Sequence, residues 1–276
     1  MNKTVFLNRT TPPHIATLVV IAGLSALNMN LILPSLPGIS TYYQADYALV
    51  QLAVSGYLAV TGLLQLIIGP LSDRYGRRPV MIVSLSIFLL ATALTPFAPS
   101  IEVFLAIRML QAAVVSGMVL SRAVVRDIVG PEQAASMIGY VTMGMTLAPM
   151  IGPVLGGIME ELFGWQSVFA LLFVFGLGAF VLVLTDLGET NQNRSPSMLA
   201  QFGAYPELLR SRRFWGYSLT ATFASGSFFS FLGGGPFVAT RILDMEPSEL
   251  GLYFVFIALG YMAGNFLSGR FASRIG

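Results

Sequence analysis

Eight stretches of the chain, at about 15–39, 47–71, 79–97, 101–124, 134–159, 164–186, 213–239 and 248–271, are each long and apolar enough to cross a bilayer. Hydrocarbon offers no water to satisfy backbone N–H and C=O groups, so a stretch of ~20 apolar residues must close its hydrogen bonds on itself, as a helix. The fold class follows: an all-α polytopic membrane protein. Composition agrees, with 55% hydrophobic and 10% charged residues, where soluble chains average roughly 25% charged. The first stretch is too long for a signal-peptide core of about 7–15 residues, and no small-residue cleavage site follows it. Pro34 and Pro37 near its far end predict a helix that breaks as it leaves the membrane.

The distribution of charge orients these helices. With the N-terminus in the cytosol, Lys3, Arg9, Arg74, Arg77, Arg78, Arg122, Arg126, Arg194, Arg210, Arg212, Arg213, Arg270 and Arg274 all fall inside. Only Arg241 falls outside, and Arg108 lies within a span. Lys/Arg bias sets membrane topology, so a cytosolic N-terminus is expected. The net charge of +2 gives no sign of a nucleic-acid partner. Cysteine is absent, which excludes disulfides, thiolate metal sites and cysteine nucleophiles. Clustered catalytic acids or metal ligands are missing from the apolar stretches, no P-loop is present, and the single histidine, His14, reads as a headgroup neighbour. No catalytic residue, metal or cofactor is expected, and an enzyme is not.

Three local patterns carry chemistry. The first is the hinge Gly69-Pro-Leu-Ser-Asp73-Arg74-Tyr-Gly76-Arg77-Arg78-Pro79 between the second and third spans. Gly69 would let the helix end approach a neighbour, Gly76 permits a tight turn, and Asp73 is placed to accept from free N–H groups at the next helix start. Pro79 suits the first turn of that helix. The second pattern is Arg108 with Gln111, three residues apart on one helix face. An arginine at mid-span costs ~2.5–3.5 kcal/mol on insertion scales, so it should face a polar cavity or a partner. The third is a stripe in span 5, Gly144, Ala148, Gly152 and Gly156, with Pro149, Pro153 and Gly157. Its four-residue step allows close helix packing, and its prolines invite a kink.

The hinge resembles the loop between spans 2 and 3 of the major facilitator superfamily of secondary transporters. Arg108 and Gln111 resemble that family's span 4 motif, although Ala112 stands where glycine is usual. The span 5 stripe resembles its antiporter motif, with Ala148 replacing one glycine. Leu33-Pro-Ser-Leu-Pro37, Gln51, Gly56-Tyr57, Arg122, Arg126-Asp127 and Trp165 make the chain most similar to the Bcr/CflA subgroup of drug:proton antiporters.

That resemblance implies a major-facilitator-type helical bundle. A cytosolic segment 1–14 precedes a six-helix bundle at 15–186, a cytosolic linker spans 187–212, and 213–276 hold the first two spans of a second half. Gly269, Arg274 and Gly276 repeat Gly69, Arg74 and Gly76, and Asn265 stands where Gln65 does, so the second half is expected to be cut short. Residues 198–213 are expected to form a surface helix, and Gly233-Gly-Gly-Pro236 a helix break.

The implied function is multidrug efflux by proton/drug antiport and alternating access across a bacterial inner membrane. Its partners would be small amphipathic drugs, protons and the bilayer, its energy source the proton gradient, and its full-length state monomeric. The implied substrate cavity is edged by Asn30, Tyr57, Gln65, Arg108 and Gln111, with Arg108 as switch. The implied cytosolic latch comprises Gly69, Asp73, Arg74, Gly76, Arg77 and Arg78, with Arg122, Arg126 and Asp127 as charge partners. One departure stands out: Asn30 occupies the position of the subgroup's span 1 aspartate, and an amide cannot carry a proton. A carrier for a small metabolite and a non-transporting membrane fragment are the alternatives.

Overall fold

The computed structural model describes residues 4–191 and 205–246, with scattered positions between 249 and 263. All regular structure among the described residues is helical. Span 1 comprises Ile15–Asn30, a 3₁₀ turn at Leu33–Ser35, and Leu36–Tyr43. Span 2 comprises Tyr47–Val50 and Leu52–Tyr75. Span 3 is Arg77–Leu94, and span 4 is Ile101–Gln111 joined by a 3₁₀ turn to Val115–Ile128. Span 5 is Pro131–Thr146 followed by Ala148–Phe163, and span 6 is Trp165–Asp186. A short helix, Tyr205–Arg210, leads into span 7, Arg212–Arg241. Among the described residues, five helical stretches, at 15–43, 47–75, 77–97, 101–128 and 165–186, are long and apolar enough to cross a membrane.

One expectation about breaks is met and one is corrected. The α-helix of span 1 is interrupted at residues 31–35, and Pro34 and Pro37 each sit in the first turn of a new helical segment, where the missing N–H has no helical partner to lose, so the chain resumes and runs on to Tyr43. Span 7 passes through Pro236 and continues to Arg241, since a membrane helix survives the loss of one backbone bond. Of the surface helix expected at 198–213, the described part is Tyr205–Arg210. It stops at Ser211, whose hydroxyl accepts from Phe214 N (3.3 Å) and caps span 7. The eighth span and the repeat ending at Gly276 lie largely or wholly outside the described residues.

Span 1 is the central helix of the first six, packed against spans 4, 5 and 6. Ser25 Oγ donates to Val114 O (2.5 Å) and Ser121 Oγ to Leu18 O (3.2 Å), so a serine of each span is tied to the backbone of the other. A Cβ at Gly152 would lie 2.8 Å from Asn30 Cβ, and one at Gly156 would collide with Leu31 O. The span 5 stripe is therefore the groove in which the Asn30–Leu31 segment rests. The apolar interior falls into two clusters, one around Leu33, Tyr57, Phe104 and Trp165, the other around Leu18, Leu85, Phe88 and Val124.

Span 7 meets this bundle near the Trp165 end, where Tyr47 and Phe237 rings lie 4.7 Å apart and Arg241 Nη2 donates to Thr41 Oγ1 (2.8 Å). At its start, Tyr205 Oη donates to Leu66 O (3.1 Å).

Candidate functional site

Span 4 leaves the first apolar cluster at Ala112 and enters the second at Val114, and the polar network around Arg108 sits one turn before that changeover. Arg108 is wholly enclosed, and every face of its guanidinium has a partner. Nη1 donates to Asn28 Oδ1 (2.9 Å) and Gln111 Oε1 (2.7 Å), Nη2 to Asn28 O (2.9 Å), and Nε to Ala53 O (3.3 Å). The Tyr57 ring stacks 4.3 Å from its carbon centre. Gln111 Nε2 in turn donates to Thr92 Oγ1 and Thr95 Oγ1, and Asn28 Nδ2 to Tyr57 Oη (3.0 Å). Spans 1, 2 and 4 thus meet on one cation, with span 3 joined through Gln111, and that cation has no carboxylate within ion-pair distance among the described residues.

This arrangement brings together three of the five expected cavity residues, Tyr57, Arg108 and Gln111. It does not bring in the other two. Gln65 is exposed two turns farther along span 2. Asn30 packs against Gly152 of span 5; its Nδ2 donates back to Ala26 O of its own helix (2.7 Å), and its buried Oδ1 has no partner. Nor does Arg108 edge an open cavity: it is packed shut inside the first half. Asn28, Thr92 and Thr95 complete the network. A second asparagine in an apolar stretch was the available signal for Asn28; nothing in the sequence marked the threonines.

The hinge folds around Arg77. Its guanidinium pairs with Asp73, one turn back, and with Asp127 Oδ2 (3.0 Å), and donates to Ser72 Oγ (2.5 Å). The helix-start N–H groups of Arg77 and Arg78 donate to Glu189 (2.9 and 3.3 Å), not to Asp73 as expected, because Asp73 is already engaged by Arg77. Gly76 adopts φ +104°, and a Cβ there would strike the Glu189 carboxylate, so glycine is required on two counts. Arg78 Nε donates to Leu187 O (2.9 Å), and Arg74 lies over the Tyr75 ring. Gly69 makes no close approach: nothing described lies within 4 Å of where its Cβ would stand. Asp127 also accepts from Thr190 Oγ1 (3.0 Å), Arg122 Nε is buried without a partner, and Arg126 is exposed. Among the described residues, all partners of the hinge lie in the first six spans and the segment that follows them.

In span 5, Ala148, Gly152, Pro153, Gly156 and Gly157 are buried, and a Cβ at Gly144 would collide with Val19. His14 caps span 1, its Nδ1 accepting from Ala16 N (3.2 Å). Asp186 went unnoticed in the sequence. Fully buried at the end of span 6, it accepts from Leu7 N (2.8 Å), His14 N (2.8 Å) and Thr17 Oγ1 (2.6 Å), which ties down the N-terminal segment. Of the span 7 aromatics, Phe229 packs on the bundle, while Phe223 and Phe231 are exposed.

Comparison with known proteins adds the family. The Major Facilitator Superfamily profile matches residues 18–276. An uncharacterized MFS-type transporter, YdgK, of Bacillus subtilis is 33% identical over 262 residues, 93% of this chain and 65% of that protein. A bicyclomycin resistance protein homolog of Haemophilus influenzae is 27% identical over 95% of the chain and 67% of its own length. A chloramphenicol resistance protein of Pseudomonas aeruginosa is 30% identical over 91% and 59%. The chain therefore spans about two thirds or less of the length of these relatives. Among solved structures, a bacterial homolog of the human lysosomal transporter Spinster superposes with a TM-score of 0.77 at 20% identity, covering 95% of this chain and 63% of that one.

Proposed function

The chain belongs to the major facilitator superfamily, and from that premise we propose that it exports drug-like amphipathic molecules in exchange for protons, by alternating access across a bacterial inner membrane. Its N-terminus is cytosolic in this proposal, residues 15–186 form one half, 187–212 the linker and 213–276 the start of the other half. The resistance proteins among its relatives support the substrate class.

The observation that carries the proposal is the Arg108 network. A cation at mid-span is retained in lipid only where the protein satisfies it. Here, among the described residues, spans 1, 2 and 4 do so with neutral groups alone, so an anionic or polar group arriving from the second half could compete for Arg108 without displacing an ion pair. Tyr57 and Gln111 would move with it. Hinge contacts that, among the described residues, reach only the first half and the start of the linker suit a rigid lobe that rocks as a unit. Protons would supply the energy, with no bound cofactor.

Expression of the complete protein in a pump-deficient strain should lower susceptibility to lipophilic antibiotics, and a protonophore should abolish the effect. Arg108→Ala should restore susceptibility at equal membrane abundance. Protection that persists with the protonophore removes the proton exchange, and protection that persists in Arg108→Ala removes the switch. Faster uptake of a labelled sugar or organic acid without any drug phenotype would favour the metabolite carrier.

A further inference from the structure

Asn30 cannot take a proton, and among the described residues no carboxylate lies within ion-pair distance of Arg108. One carboxyl group stands elsewhere on the seam. Glu160, near the end of span 5, has Oε2 buried without a hydrogen bond. Its Oε1 occupies the space that a side chain at residue 38 would fill, so Gly38 is what admits it. The buried Ser35 hydroxyl is the polar group beside it.

A cleft of about 230 Å³ opens next to this carboxyl, lined by Pro34, Gly38 and Thr41 of span 1, by Glu160, and by Thr240 and Arg241 of span 7. Arg241 is the one cation facing it among the described residues, and it donates to Thr41 without pairing with Glu160. Glu161 on the same helix is exposed, as are Asp244 and Glu246 on the segment that follows span 7.

We propose that Glu160 is a proton-binding site at the outer seam between the first half and span 7, and that a proton bound there favours closure of that seam. A carboxylate ion enclosed with no cation, and with the Ser35 hydroxyl as the polar group beside it, is costly. The neutral acid is not. When the seam parts, span 7 withdraws with Arg241, water reaches the carboxyl, and the ion becomes tolerable. The closed seam therefore binds the proton more tightly than the parted one, and by linkage the closed state is favoured as outer pH falls and lost as it rises. Only a proton binds and leaves, and no other reactant is needed. In an exchanger this is the resetting step, in which an outer proton recloses the seam after drug release. The inference rests on the alternating-access reading.

The test uses the complete protein in liposomes, spin-labelled through Tyr42→Cys and Leu243→Cys, two exposed positions flanking the seam in a chain without native cysteine. Pulsed dipolar spectroscopy across outer pH 5 to 9 should show a near and a far population. Their ratio should fall with rising pH, by up to about tenfold per unit for one proton. Glu160→Gln should hold the near population at every pH. Gly38→Ala, which fills the carboxyl's seat, should lose the pH response, while Gly62→Ala, where nothing lies within 4 Å, keeps it. Two populations with the same pH response in Glu160→Gln, or with no pH response in the parent, overturn this inference alone. A single distance at every pH, with and without ethidium as a lipophilic cation, overturns alternating access and this inference with it.

Discussion

Arg108 is fixed by geometry that a different cation would not reproduce. Its planar fork reaches Asn28 twice, Gln111 and Ala53 O at once, with the Tyr57 ring against its face. Arg108→Lys keeps the charge but cannot fill these acceptors together, so it should impair transport nearly as much as alanine. Asn28→Ala strands one face of a fully buried guanidinium, a loss of about 1–3 kcal/mol. Thermal unfolding in lipid should show a lower melting temperature for Asn28→Ala; an unchanged midpoint would mean that water replaces the amide. Gln111 could be read in the sequence because a three-residue step on one helix fixes its face. Asn28 could not, because its part depends on span 1 meeting span 4 through Gly117, Ser25 and Ser121, a tertiary approach that local spacing does not encode.

Apolar length located the first seven spans at the element scale, while Gly233-Gly-Gly-Pro236 misled, since glycine and proline read as breaks in water and are tolerated within packed membrane helices. What glycine does here is admit a neighbouring backbone. Gly156→Ala sets a methyl against Leu31 O and should destabilise the protein by about 1–3 kcal/mol as spans 1 and 5 are forced apart. Gly62→Ala, facing open space in span 2, should stabilise by up to about 1 kcal/mol through helix propensity alone. Opposite shifts in melting temperature would confirm the contrast, and two equal shifts would refute it. Asp186 joins two elements distant in sequence. Asp186→Asn turns one acceptor atom into a donor facing Leu7 N, His14 N or Thr17 Oγ1, so the N-terminal segment should detach. Limited trypsin digestion at Arg9 should then be severalfold faster than in the parent, with cleavage at exposed Arg126 unchanged.

For the whole molecule, the question is whether the contact between span 7 and the first half is a permanent joint or one face of a cycle. Among the described residues it comprises the Tyr47–Phe237 rings, Phe229 and Ala239 against the first apolar cluster, and the Arg241–Thr41 hydrogen bond, beside a cleft where Glu160 has no ion-pair partner. A joint built to stay closed would put Glu160 and Arg241 in contact, since both charges are already on the seam. Leaving them apart keeps closure weak enough to reverse. Because the chain has no cysteine, Tyr47→Cys with Phe237→Cys reports on this seam alone. Bridging the pair with a short bifunctional thiosulfonate should stop drug export in proteoliposomes while leaving drug binding intact, and a reductant should restore export. Either single cysteine, treated alike, should export at the parent rate. If the bridged protein still exports at that rate, the seam is a fixed joint, and any movement of substrate must take a route that never parts spans 1 and 7.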